Sequence, residues 1–177
     1  MTTDSIFQAA QEAYTDKLKD MLEAGAAPDT EDAAGRTPLF FSHLAHGMEP
    51  DAARLLLQYG ADIYHRDKFW ISFLRNLFEY HNDEPYCDII QKSLQDTDVN
   101  RLDSYGANVL HYAVYLGNAV HVQALLSIKA DPAVRTASGM LPLEIALGMG
   151  YGKIADLLRP VSPEPRKDIP LRLGTML

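Results

Sequence analysis

One arrangement of turn, apolar and glycine residues occurs three times along this chain of 177 residues. The clearest copy begins at Asp103 with Asp-Ser-Tyr-Gly-Ala-Asn-Val-Leu-His-Tyr-Ala and ends in a paired-leucine segment and Lys-Ala-Asp. Further copies begin at Asp32 and Ser138, and Gly106 and Gly139 lie 33 residues apart. A unit of that length cannot bury its own apolar face, so the period predicts repeats that pack on their neighbours.

Within a copy, the order of residues predicts two helices. Thr37 and Pro38 suit a helix start, because a hydroxyl can accept a terminal N–H and proline loses no hydrogen bond in the first turn. The paired leucines 55 and 56 supply an apolar face, and Gly60 stands where a helix can end in the left-handed conformation. Each copy is therefore expected to be a helix–turn–helix unit.

With these residues the sequence resembles the ankyrin-repeat family, whose signature Thr-Pro-Leu-His-x-Ala recurs about every 33 residues. Residues 37–39, 109–113 and 141–146 match this motif, and His111 is the histidine that the family ordinarily has at its position. The resemblance implies an all-α ankyrin-repeat solenoid of helix–turn–helix units with short hairpin loops. It also implies that His111 forms a hydrogen bond to a neighbouring unit.

The resemblance covers most of the chain and divides it into about five units. The predicted ankyrin-repeat domain is residues 1–159, with units at 4–30 (an N-terminal cap), 32–66, 67–102, 103–135 and 136–159. Unit 67–102 has lost the signature and is placed by its neighbours. The proline-rich tail 160–177 cannot form one helix. It is expected to be extended or mobile, or to lie on the last unit with Leu171, Leu173 and Leu177 covering an apolar face.

Charge and cysteine content argue against several kinds of partner. The 16 basic and 24 acidic residues give a net charge of −8, which disfavours nucleic acid and anionic membranes. The same charge suits a basic surface on a partner protein, although it can also serve solubility alone. The sequence has no bilayer-length apolar run and no visible secretory signal, and its lone Cys87 forms no internal disulfide. These features predict a cytoplasmic protein, and export by other signals stays open.

The sequence contains no catalytic or metal-binding motif of a known kind. His43 and His46 lack a third ligand at a usual spacing, and Cys87 lacks an activating base. The glycine-rich segment 148–152 follows no predicted strand, so it is read as a turn between helices. We therefore predict no enzymatic activity, no metal and no cofactor.

The resemblance directs attention to the hairpin tips and first helices, since partners of ankyrin solenoids dock on this concave face. Aromatic side chains that the core does not need are typical anchors for binding. The candidate partner-binding residues are Arg36, Lys68, Phe69, Ile71, Glu79, Tyr80, Ser104, Tyr105, Tyr115, Met140 and Met149. Acidic residues between 79 and 103 add a rim that suits a basic groove, or form only a solvated turn.

The expected function is non-catalytic binding of a partner protein through the concave face. A short acidic module of this kind suits an inhibitor or immunity-type protein that covers the active site of a toxin or enzyme. The alternative is a structural, scaffolding or regulatory subunit of a larger complex.

Overall fold

The computed structural model of the chain describes residues 5–42, 50–69, 72–79, 91–92, 94 and 97–166. These residues form two compact units, which we call the first unit (the described residues up to 97) and the second unit (98–166). All regular structure in these ranges is helical, apart from one isolated bridge between Arg66 and Ser72. The predicted all-α fold class is confirmed.

The first unit contains five named helices within its described residues: α1 (Ile6–Gln11), α2 (Thr15–Glu23), α3 (Pro38–Ser42), α4 (Pro50–Gln58) and α5 (Phe73–Glu79). Helix α1 begins where the Ser5 hydroxyl accepts the N–H of Gln8 at 3.3 Å. Helix α1 packs on α2 and α3, and both of these pack on α4. Fully buried Ala9, Leu18 and Leu56 lie in the resulting core.

The second unit contains α6 (Val109–Tyr115), α7 (Ala119–Ser127), α8 (Pro142–Met149) and α9 (Gly152–Leu158). Helix α7 begins at Asn118, whose Oδ1 accepts the N–H groups of Val120 and His121 at 3.1 and 3.2 Å. Helix α6 packs on α7 and α8, and α9 packs on α7 and α8. In each of the two compact units, helices therefore pack in pairs, as the repeat pattern predicts.

A tight hairpin turn precedes α3, α6 and α8. In the second unit, the N–H of Asp103 donates to the carbonyl of Ala107 at 2.9 Å. Gly106 closes this turn with a φ of +70°, and a Cβ added there would lie 3.0 Å from the backbone nitrogen of Ala137. Glycine is required at this position both for the left-handed backbone and for the approach of the next hairpin.

His111 links two neighbouring repeats in the second unit, which confirms the sequence expectation. A hydrogen bond of 3.3 Å joins its Nε2 to the carbonyl of Met140, which accepts. Its Nδ1 lies 2.7 Å from Oδ1 and 3.2 Å from the backbone nitrogen of Asn108. The ring is 3% exposed, and this burial lowers its pKa to about 4 from 6.5. His111 is therefore a neutral structural residue at neutral pH.

The start of the proline-rich tail docks on the second unit. The backbone N–H of Arg166 donates to Glu144 Oε1 at 2.8 Å, and the guanidinium Nε lies 3.3 Å from the same oxygen. Docking in the described part of the tail therefore relies on an arginine rather than on leucines. Leu171, Leu173 and Leu177, which sequence analysis proposed for this role, lie outside the described residues.

Candidate protein-binding surfaces

Two neighbouring hairpins of the first unit hold an aromatic ring out into solvent. The backbone N–H of Lys68 donates to the carbonyl of Ala34 at 3.0 Å, and its Nζ donates to that of Ala33 at 2.7 Å. The next N–H, that of Phe69, donates to Asp67 Oδ1 at 2.8 Å. The Phe69 side chain is nevertheless 70% exposed. A large apolar ring whose backbone N–H is already hydrogen-bonded is suited to contact another molecule at a reduced cost in conformational entropy.

Arg36 ends the turn that precedes α3 and is held by a carboxylate. Its Nε and Nη2 donate to Asp32 Oδ2 at 2.8 and 2.6 Å. The hydrogen bonds from the Arg36 side chain hold the pKa of Asp32 below its ordinary value, with further help from the backbone N–H groups of Arg36 and Ala34. The guanidinium also lies 4.7 Å from the centroid of the Phe41 ring.

Arg36 lies over two half-buried phenylalanines, Phe40 and Phe41, and a third, Phe7, contacts Phe41. We call these three rings the N-terminal aromatic cluster. The Phe7 and Phe41 rings meet edge to face with centroids 5.7 Å apart, and those of Phe40 and Phe41 lie 5.6 Å apart. Sequence analysis missed this cluster. The signal was present, because Phe41 occupies the variable position of the Thr-Pro-Leu-His-x-Ala motif.

The second unit presents a smaller aromatic surface at the hairpin of residues 103–107. Asp103 Oδ1 accepts the N–H groups of Tyr105 and Ala107, both at 2.8 Å, and the Tyr112 hydroxyl donates to its other oxygen. Ser104 is exposed, and the Tyr105 side chain is 44% exposed. The hairpin is thus fixed by one carboxylate and presents a tyrosine at its tip.

The remaining candidates of the second unit are less accessible. Tyr115 and Met149 are half-buried on the first helices α6 and α8. Met140 is only 4% exposed, because its hairpin packs against α6 and the Arg166 side chain covers its sulfur at 3.2 Å from Nη2. Met140 therefore offers little surface to a partner in this structure, and its predicted role in partner binding stays a prediction.

Some predicted candidates fall outside the described residues. These are Ile71, Tyr80, the Glu79 side chain, Cys87, His43 and His46. Within the described ranges, no three His, Cys, Asp or Glu side chains are grouped as metal ligands would be. No helix in the same ranges has the length and apolar character needed to cross a bilayer.

Comparison with known proteins agrees with these observations. Residues 80–168 match the family described as "Ankyrin repeats (3 copies)", and residues 34–68 match "Ankyrin repeat". An ankyrin repeat protein of Neisseria meningitidis serogroup B is 37% identical over 84 residues, which is 44% of this chain and 33% of that protein. This chain thus spans about a third of that relative's length.

The chain belongs to the ankyrin-repeat family. Ankyrin repeats form protein–protein interaction modules and are generally non-catalytic. The longer of the two matches continues past residue 159, where sequence analysis ended the last unit, and includes Arg166.

Proposed function

We propose that this protein binds a partner protein through the hairpin tips and first helices of its repeats. Phe69 is the proposed anchor in the first unit, and Tyr105 is the proposed anchor in the second. The observation that carries the proposal is the 70% exposure of Phe69, whose own backbone N–H and that of Lys68 are already hydrogen-bonded. Binding that buries such a ring gains apolar contact, and the hydrogen bonds of Lys68 and Phe69 lower the entropy cost of ordering these two residues.

The N-terminal aromatic cluster extends the proposed surface of the first unit. Arg36 lies over Phe41 and is paired with Asp32, so its charge is already compensated within the chain. This arrangement favours flat contact with apolar or aromatic side chains of the partner over recognition of a partner carboxylate. Lys68 donates from Nζ to the carbonyl of Ala33, and it is proposed to position the neighbouring Phe69 in this way.

The proposed partner presents a basic surface or groove. The support is the net charge of −8, which would steer a positively charged partner towards this chain. Covering a basic catalytic groove would make the protein an inhibitor or immunity-type protein of a toxin or enzyme. The proposed place of action is the cytoplasm, where a chain with one cysteine needs no disulfide for stability.

Site-specific photo-crosslinking tests the proposal and captures the partner in the same experiment. A photoreactive phenylalanine analogue replaces Phe69 or Tyr105, one at a time, in the full chain expressed in its source cells. Tyr59 is the matched control position, because it is 39% exposed but directly follows α4, the second helix of its repeat, and lies on neither a hairpin tip nor a first helix. The expected result is one protein adduct of the same identity from positions 69 and 105, with none from position 59.

Two results would count against the proposal. Equal adducts from positions 59 and 69 would mean that crosslinking reports only exposure. The absence of a protein adduct at position 69 would remove the proposed anchor. Light scattering of the purified chain distinguishes the alternative, because a scaffolding subunit that assembles constitutively would show a stable oligomer.

A further inference from the structure

A fully buried carboxylate lies near the end of the second unit. Glu144 on α8 has an exposed fraction of 0%. Its Oε2 accepts the N–H of Leu141 at 3.0 Å, which caps the start of α8. Its Oε1 accepts the N–H of Arg166 at 2.8 Å, and Nη1 of Arg135 lies 3.4 Å from both oxygens. A buried carboxylate is costly without hydrogen-bond or ion-pair partners, so the contact with Arg166 stabilises the charge of Glu144.

Glu144 occupies the position that His111 occupies one repeat earlier, 33 residues before it. At that earlier position, the side chain donates to a backbone carbonyl of the following hairpin, that of Met140. At the later position, the side chain accepts a backbone N–H from the tail. Both side chains therefore bind the backbone that follows their own repeat. His111 donates to a carbonyl, whereas Glu144 accepts from an N–H group.

The surroundings of two hairpin glycines show the same correspondence between the tail and a following repeat. A Cβ at Gly106 would lie 3.0 Å from the backbone nitrogen of Ala137, which belongs to the next hairpin. A Cβ at Gly139 would lie 3.2 Å from Nη1 of Arg166. Gly106 therefore faces the backbone of the following repeat, and Gly139, at the equivalent position, faces the side chain of Arg166 instead.

From these two correspondences we propose that residues 160–166 form a strap that takes the place of a following repeat and closes the end of the second unit. Arg166 is its anchoring residue, because both its backbone N–H and its guanidinium contact Glu144. The strap is tied by polar contacts rather than by a large apolar face, since Val161 within it is 53% exposed. It can therefore open without unfolding the helices, and opening it uncovers Glu144 and the hairpin 136–140.

Amide hydrogen exchange of the full chain, followed residue by residue by NMR, tests the strap. In the unaltered chain, the Arg166 amide is expected to exchange at least about tenfold more slowly than in an unstructured peptide. In Arg166→Ala, the amides of Gly139 and Leu141 are expected to exchange about tenfold faster, because the hairpin loses its cover. Amides of the first unit serve as the internal reference.

Arg159→Ala is the matched control. Arg159 lies at the end of α9, is exposed, and is 3.9 Å from Asp156, so its removal also deletes one positive charge near the strap. Its exchange pattern at the hairpin is expected to equal that of the unaltered chain. Glu144→Gln, which keeps the shape but not the charge, is expected to release the strap and raise the exchange of the Arg166 amide.

The proposal is overturned if the Arg166 amide exchanges at the unstructured rate in the unaltered chain. It is equally overturned if Arg166→Ala and Arg159→Ala change the hairpin amides to the same extent, since the effect would then be one of charge alone. Retention of full Arg166 protection in Glu144→Gln would remove the carboxylate as the point of attachment.

Discussion

The buried ring of His111 makes the stability of the second unit depend on pH in the mildly acidic range. Burial lowers the pKa of the folded ring to about 4, whereas the ordinary value that applies to the unfolded chain is 6.5. Between these values the unfolded chain binds a proton that the folded chain does not. The free energy of unfolding therefore falls as pH decreases from 6.5 towards 4 and is restored as pH rises.

The size of this effect follows from the two pKa values. Their difference corresponds to about 3 kcal/mol, and this loss is complete only below the folded pKa, where the ring is protonated in both states. About 2 kcal/mol of that loss falls between pH 7 and pH 5, where the unfolded ring becomes protonated and the folded ring stays neutral. For a domain with a typical stability of about 5–15 kcal/mol, this is a readily measured fraction.

Urea unfolding of the unaltered chain and of His111→Gln, at several pH values between 4.5 and 7.5, measures the effect. Glutamine can still donate to the carbonyl of Met140 but does not titrate. All other titratable groups are common to both chains, so the difference between the two pH profiles isolates His111. We expect the unaltered chain to lose about 2 kcal/mol more than the variant between pH 7 and pH 5. Parallel profiles would refute the reasoning.

Three further substitutions test the local structure, each by its change in the free energy of unfolding. Lys129 lies two residues after the end of α7 and has a φ of +66°, which strains a residue with a Cβ. Lys129→Gly is therefore expected to stabilise the chain by up to about 1 kcal/mol, and a loss of stability would contradict the strain. Asn118→Ala removes the side-chain cap of α7 and is expected to lower the free energy of unfolding by about 1 kcal/mol. An unchanged urea midpoint of unfolding would show that water replaces the hydrogen bonds of the Asn118 side chain. Gly106→Ala is expected to cost about 1–3 kcal/mol, because its Cβ meets the backbone of Ala137 and its φ is positive; stability within error would contradict the close approach.

The sequence was sufficient to predict the helix pairs and the tie between repeats, since both depend on residues that recur at a fixed period. Pro38 and Pro142 begin helices as expected, and His111 reaches the next hairpin. These features are local or repeat from unit to unit, so one copy of the pattern explains the next. The bounds of the five units and the partner-binding roles of the candidate residues stay predictions.

Features that break the repeat could not be predicted from it. Met140 follows a hairpin glycine and looked accessible, but packing of its hairpin and of Arg166 buries it. Glu144 departs from the histidine of the motif, and only the fold shows that the tail supplies its partner. Phe7 and Phe41 come from different repeats, so their edge-to-face contact depends on how α1 and α3 pack.

The most direct test of the central claim is the affinity of the crosslinked partner, purified, for two matched variants. Phe69→Ala and Tyr59→Ala each remove one exposed ring from the first unit, with exposed fractions of 70% and 39%. We expect Phe69→Ala to weaken binding at least about tenfold in isothermal titration calorimetry, as loss of an anchor does. Tyr59→Ala is expected to bind as the unaltered chain does. Equal affinities of the two variants and the unaltered chain would contradict partner binding through the hairpin tips.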